Sequence, residues 1–521
     1  MANRRDTSWV GTLLAALLAL LCVVPLVLLV VRGAVDGLGP FRTVLAAEST
    51  GAALTKSLLL GTLSGVVAVA VALPAAWFSQ VTDMPGARVF RVLLVLPLAV
   101  PSYVSGFVVM AAFAHNGWLH GLLRPFGFED APDVYSLWGV VLALTWAYPL
   151  ALLQIQAALS RTDPAMWGAA RTLGAGPWRA FADVVLPALR APMATGGLLV
   201  GLYAIGDFGA VSLLRFESLS YLVYLRHKSL FARAEVVPLS LLLAVVALVL
   251  VVIVLVVGGR TARGARTLDV HRAWPTIELG RWRWVAFAFC ATLVLVFVGL
   301  PLGVVGYWLT RGLRLGAELR MPWDDAAHSA ILGGVSALIL VVAAIGPALA
   351  HRFGRVGGAR ALRTLTFVGY ALPGIVVALS MVSFVVRWVE PLYQTFGLLV
   401  IAYVIRFTPL ALGTLEDGLQ RVGTGLMDAA RTLGASRARA TLTVILPSAA
   451  PAIGAAALGV FIAVVKELPA ALILGPLEYD TLSTRIWTLT EDAFYALAAV
   501  PIFMMLGVAL IGLIAGRRLS R

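Results

Sequence analysis

Cysteine is nearly absent from this sequence. Only Cys22 and Cys290 occur in 521 residues, both inside apolar runs, which excludes a disulfide-stapled fold. Charged residues make up 13% of the chain, against roughly 25% in soluble domains, while hydrophobic residues reach 60% and mean hydropathy is +0.94. That balance excludes a water-soluble enzyme and a disordered chain. Lysine is scarce too: Lys56, Lys228 and Lys466 are the only three among 40 basic residues. No group of five or six basic residues is interleaved with aromatics. The formal charge of +14 and the isoelectric point near 10.3 are therefore not read as a nucleic-acid surface. A phosphate-cradling G-x-x-x-x-G-K-[ST] loop is also missing, so the chain is not expected to hydrolyse ATP itself.

What is present is apolar sequence in runs too long for core helices. A membrane-crossing helix needs ~20 mostly apolar residues. The first run covers residues 10–31, and others centre near 66, 102, 146, 202, 248, 296, 339, 374, 405, 462 and 506. This predicts twelve spans and an all-α, polytopic, multi-pass membrane protein. The first run follows Arg4 and Arg5, as a signal peptide would, but it is too long for an h-region and no small-x-small cleavage site follows. It is expected to remain as a helix. With the N-terminus inside, the inner segments hold 25 basic and 9 acidic residues, and the outer segments 13 and 15. The excess, +16 inside against −2 outside, places both termini in the cytoplasm by the positive-inside rule. Four charges remain within spans: Asp207, Arg406, Lys466 and Glu467.

The sequence is also duplicated. Ala169-Ala170-Arg171-Thr172-Leu173-Gly174-Ala175 recurs 260 residues later as Ala429-Ala430-Arg431-Thr432-Leu433-Gly434-Ala435. Leu186-Pro187 and Pro149-Leu150 match Leu446-Pro447 and Pro409-Leu410 at the same offset. Earlier in each half the offset is 272, pairing Ser57 with Ser329, Gly61 with Gly333, Gly86 with Gly358 and Pro101 with Pro373. A longer outer loop in the first half, residues 115–135, accounts for the difference. The expected organisation is a six-span half over residues 1–260, an Arg-rich cytoplasmic linker over 261–283, and a second six-span half over 284–521. Both halves start inside, so they are parallel repeats, and a translocation path at their junction is the architectural inference.

The seven-residue repeat lies between the fourth and fifth spans of each half, near residues 160–190 and 420–450. Asp163-Pro164 offers an N-cap and a first-turn proline, a short Ala-rich helix follows, and Gly174 or Gly434 stops it. A second helical stretch then runs to Leu186-Pro187 or Leu446-Pro447. Small residues on one face permit close approach of another protein, while Arg171 and Arg431 stay available for carboxylates. The segments Gly168-Ala169-Ala170…Gly174…Leu186-Pro187 and Asp428-Ala429-Ala430…Gly434…Leu446-Pro447 resemble the "EAA" loop of membrane subunits of binding-protein-dependent ABC importers. Gly168 and Asp428 stand where that pattern has glutamate. The resemblance implies a type I ABC importer permease fold in a bacterial cytoplasmic (inner) membrane. It also implies two copies of a separate ATPase, carrying ATP and Mg, docked on these loops, and an external solute-binding protein, periplasmic or lipid-anchored. No cofactor on this chain, and no partner beyond these and membrane lipid, is implied.

The fused two-half form resembles ferric-iron permeases and also thiamine permeases. The stretch from Tyr203 through Asp207 to Arg215 resembles the fifth-span exit of the ferric-iron group, and Lys466-Glu467-Leu468-Pro469-Ala470 resembles their eleventh. Asp207 and Glu467 are partners at the 260 offset, so each half carries one carboxylate near the outer end of its fifth helix. Charge in a bilayer costs ~2.5–3.5 kcal/mol on insertion scales and usually faces a cavity or a counter-charge. Two readings follow. The carboxylates, with Tyr203 four residues before Asp207 on the same face, attract a hard cation that prefers oxygen ligands; or they pair structurally, Glu467 with Lys466 or Arg406. The histidines have no metal-site spacing. His115 and His120 share the long outer loop with Glu129, Asp130 and Asp133, a setting for weak metal capture, for contact with the binding protein, or for solvation. The rival readings are a permease of the same class for thiamine, an oxyanion or a polyamine, and a secondary transporter driven by an ion gradient. The latter leaves the duplicated loop without a task.

Overall fold

The computed structural model describes residues 6–114, 117–126, 132–229, 231–264, 274, 276–353 and 359–519. His115, Glu129, Asp130 and most of the expected linker, residues 265–273 and 275, lie outside the described residues. The chain is all-α: among the described residues no strand forms, only a single bridge between Thr82 and Ile277. Among the described residues eight helices are long and apolar enough to cross a membrane singly, and four bent pairs, each taken as one span, bring the total to twelve. Each run located in the sequence has its helix or bent pair.

The bends are where proline puts them. In the third span of each half, Ala87–Ala99 meets Ser102–Phe113 at 93° and Leu362–Ala371 meets Gly374–Trp388 at 95°. Pro101 and Pro373, matched at the 272 offset, stand at these corners with ψ of 155° and 144°. A proline removes a helical donor and drives its predecessor out of the α region, so the helix stops and restarts. Three π-helical turns, Phe181–Val185, Leu295–Gly299 and Thr441–Ile445, each run directly into a Leu-Pro pair. There too the missing proline N–H loosens the preceding turn.

The chain packs as two compact units. One comprises Leu45–Leu225 and Val245–Ala317; the other comprises Met1–Val44, Arg226–Ala244 and Glu318–Arg521. Each unit thus takes its opening span from the other half of the sequence. In the unit built mainly from the second half, Asp6–Asp36 packs on Trp323–Phe353, with Gly11 against Ala350 and Gly346 against Leu14. Cys22 donates to the Ile405 carbonyl at 3.5 Å. In the unit built mainly from the first half, Phe297 packs against Trp146 (4.9 Å between rings) and Tyr148 (5.0 Å), and its carbonyl accepts from Trp146 Nε1 at 2.9 Å.

In this latter unit the second and fifth spans cross at backbone contact. A Cβ on Gly65 would lie 2.5 Å from the Gly197 carbonyl oxygen, and one on Gly201 would lie 2.9 Å from that of Gly61. Such small-residue crossings bring membrane helices together by close packing. Gly65→Val must separate two backbones and should cost about 1–3 kcal/mol. Thermal unfolding of the purified chain in detergent should show that loss. Gly168→Ala, where a Cβ meets nothing within 4 Å, should show none; equal melting of the two variants would refute the crossing.

Candidate functional site

The two repeated loops fold as near copies. Pro164–Thr172 and Thr424–Thr432 are their short helices. The expected cap forms in the first, where Asp163 accepts from Ala165 N at 2.9 Å; Gly423 occupies that place in the second and gives no side-chain cap. Both helices end on glycine in the left-handed region, Gly174 at φ 85° and Gly434 at φ 89°. There the Ala175 and Ala435 amides reach back to the carbonyls of Ala170 and Ala430 at 3.0 Å. Only glycine adopts that conformation without strain, and this closes the helix as the sequence pattern implied.

Burial divides each short helix into two faces. Trp167 and Met427, partners at the 260 offset, are buried. Gly168 is half-buried, while Ala169, Arg171, Asp428, Ala429 and Arg431 are exposed, with Ala170 and Ala430 between. Arg171 turns back to the Ala175 carbonyl at 2.7 Å. Leu186 and Leu446 are half-buried, Pro187 and Pro447 exposed. At the tips stand Leu173 and Leu433, 87% and 88% exposed, among argininies such as Arg171, Arg179, Arg431 and Arg439. These leucines, matched at the 260 offset, are both exposed beside glycine-closed turns. Both lie inside the seven-residue repeat, where the sequence pointed to the small residues and to Arg171 and Arg431 but not to these leucines.

The intramembrane carboxylates have matching surroundings in their separate units. Helix Leu186–Gly206 ends at Asp207, whose Oδ1 accepts from Ala210 N at 2.9 Å; Glu467 follows Ala450–Val465, and its Oε2 accepts from Ala470 N at 2.9 Å. Each carboxylate therefore caps a new short helix, Gly209–Leu213 or Pro469–Leu474. Ser220 and Ser483 hydroxyls donate to the Asp207 and Glu467 carbonyls. The Leu219 and Leu482 amides donate to Ser57 and Ser329, each at 2.8 Å. Ser57 and Ser329 were matched by the repeat, and the structure gives them this task.

Beyond the shared cap the two sites differ. Arg406 Nη1 approaches Glu467 Oε1 at 3.3 Å, while at the 260 offset Trp146 stands in place of Arg406. Lys466 is the residue at which Ala450–Val465 ends. Tyr203 is 38% exposed and Asp207 7%. Among the described residues no group of three or more His, Cys, Asp or Glu is arranged to hold a metal ion.

With this geometry in view, comparison with known proteins is direct. The chain matches the family described as "Binding-protein-dependent transport system inner membrane component" over residues 68–267 and again over 341–521. It is 28% identical to the Fe(3+)-transport system permease protein FbpB 2 of Haemophilus influenzae, across 96% of both chains. It is 24% identical to the ferric transport system permease protein FbpB of Actinobacillus pleuropneumoniae, across 85% of this chain and 68% of that one. A shorter similarity, 29% over 34% of this chain and 63% of the relative, is to the sulfate transport system permease protein CysW of Synechocystis. The double match follows the internal repeat, and it leaves a secondary transporter behind as a reading. The chain belongs to the inner-membrane components of binding-protein-dependent transport systems, a permease family with its domain present twice.

Proposed function

We propose that the chain is the membrane path of an ATP-driven importer for ferric iron. In this reading an external solute-binding protein delivers the iron, and two copies of an ABC ATPase, with their ATP and Mg, drive alternating access from the cytoplasmic side. Both termini and both repeated loops face the cytoplasm, in keeping with the charge excess of the inner segments. The observation that carries the ATPase contact is the pair of exposed leucines, Leu173 and Leu433, on loops with Arg171 and Arg431 beside them. Ferric iron is favoured because similarity to a ferric permease runs across 96% of both chains, whereas the sulfate relative matches a third of this one. Asp207 and Glu467, with Tyr203, Arg406 and Lys466 nearby in sequence or space, line the proposed path.

The test is uptake of radioactive iron into proteoliposomes holding the chain, its ATPase and its binding protein. ATP-dependent accumulation is expected, and transport of sulfate or thiamine in its place would overturn the cargo. An oxyanion is the second reading, favoured by the similarity to a sulfate permease over a third of this chain. Replacing Asp207 with Asn and Glu467 with Gln keeps an oxygen for each helix cap while removing both charges. Assembly should persist and iron uptake should fall about tenfold, the effect of ~1.4 kcal/mol lost along a cation path. Unchanged uptake would remove the carboxylates from that path.

A further inference from the structure

The two loops share a sequence core but are tied down by opposite chemistries. The first sits on a cluster of rings. Trp77 of Glu48–Val81 lies 5.6 Å from Trp167 of the loop helix, 4.9 Å from Phe181 of the π turn, and 5.9 Å from Trp274 of the stretch joining the halves. Trp274 also meets Trp167 at 6.4 Å, and its Nε1 donates to the Leu159 carbonyl at 2.8 Å. Leu159 is the last residue of Pro149–Leu159, the point from which the chain enters the loop.

In the second half the matched positions carry no rings: Leu349, Met427 and Thr441 stand at the positions of Trp77, Trp167 and Phe181. Charges hold it instead. The carbonyl of Leu419, the counterpart of Leu159, accepts from Arg352 Nε at 3.1 Å, and Arg352 Nη2 reaches the Val422 carbonyl at 3.2 Å. Arg437, on the far side of the loop, donates to the Phe353 carbonyl. Glu416, 7% exposed, takes His351 Nδ1, of the residue before Arg352, at 2.6 Å and Arg363 Nε at 3.1 Å. In the first half Ser79, Gln80, Gln156 and Pro177 occupy the places of His351, Arg352, Glu416 and Arg437.

We propose that Trp274 and Arg352 are equivalent positioning residues, each fixing the carbonyl at which its loop leaves the fourth span. One does so through an aromatic brace lent by the inter-half stretch, the other through a guanidinium clamp on two carbonyls, next in sequence to the His351 that meets Glu416. The two loops are thereby separately adjustable transmitters of the ATPase stroke. This second point rests on the reading of the loops as ATPase contacts; the anchoring itself does not. Aromatic contacts and charge-assisted hydrogen bonds are both strong enough to hold a turn, but they fail under different substitutions.

Amide hydrogen exchange on the full chain in nanodiscs reads the anchors directly. Trp274→Leu should speed exchange about tenfold over residues 159–181 and leave 419–437 unchanged, the scale expected for a lost side-chain hydrogen bond. Arg352→Gln, which installs the first-half residue, should do the reverse. Trp274→Phe keeps a ring without the N–H donor, and Arg352→Lys keeps a donor; both should fold, with protection intermediate between parent and the harsher variant. Faster exchange in both loops, or in neither, overturns the anchoring. The second measurement is transport per ATP hydrolysed in the assembled complex, which should fall with each harsh variant and recover with Arg352→Lys. Local exchange changed with that ratio unmoved would overturn the role in transmission. Failure of the parent chain to bind any ATPase would instead strike the functional reading and leave the exchange result standing.

Discussion

Replacing Leu173 and Leu433 together with aspartate should abolish co-purification of the ATPase while leaving the melting temperature of the chain unchanged. Both side chains are almost wholly exposed, so the permease alone loses no packing. In a complex each would be buried, and a fully buried leucine contributes ~1.5–3 kcal/mol. The pair therefore commands roughly 3–6 kcal/mol, a weakening on the order of 10²–10⁴-fold. Aspartate adds the desolvation of a charge to the lost contact. Single substitutions should each give a part of the loss, because the leucines sit on separate loops and their effects should add. Pull-down of the ATPase with each single and the double variant checks this. Retention of the ATPase by the double variant would mean that the leucine tips are not the contact.

The second large effect is expected at the buried pair in the second half. Arg406→Met leaves the Glu467 carboxylate, whose side chain is 2% exposed, without its cation at 3.3 Å. Breaking a buried pair by removing one partner costs about 3–5 kcal/mol, because the remaining charge stays buried. Arg406→Met should therefore melt well below the parent. Adding Glu467→Gln to it removes the stranded charge, keeps a side-chain oxygen for the Ala470 amide, and should restore most of the stability. Glu467→Gln alone should be milder, since Arg406 keeps a quarter of its side chain exposed. A double variant no more stable than Arg406→Met would show that the ion pair is not what Arg406 contributes. The first half has no arginine counterpart, so the same experiment at Trp146 should expose no stranded charge.

How far the sequence carried the reading differs from element to element. Span number and position were legible because run length alone distinguishes a crossing helix from a core helix. The right-angle corners at Pro101 and Pro373 were visible as a matched pair of prolines but not as corners, since a proline inside a membrane helix is often accommodated without one. The repeated loops were legible because a seven-residue identity survives any alignment, and their helix, cap and glycine stop follow from local rules. Ser57 and Ser329 are visible in the sequence as a matched pair but not in their role, because their partners, Leu219 and Leu482, lie more than 150 residues away. The anchors of the loops were invisible for the same reason. Trp77 and Trp274 are almost 200 residues apart, and a lone tryptophan in an arginine-rich stretch carries no local signal. Nor could composition assign the opening spans to their units, because apolar helices in lipid lack a hydrophobic code for choosing neighbours.

That exchange of opening spans sets a timetable for making the protein. Asp6–Asp36 packs in the unit with Trp323–Phe353, nearly 300 residues downstream. At ribosomal speeds of ~5–20 residues per second the first helix waits about 15–60 s in the membrane before its resting place exists. It must be hydrophobic enough to stay inserted alone through that interval, which its leucine, valine and alanine, interrupted only by Cys22 and Pro25 between Leu13 and Val31, provide. Gly280–Arg314, by contrast, emerges after the spans it joins and has no wait. Assembly therefore closes the unit built mainly from the first half early, and the unit that holds the N-terminal helix last.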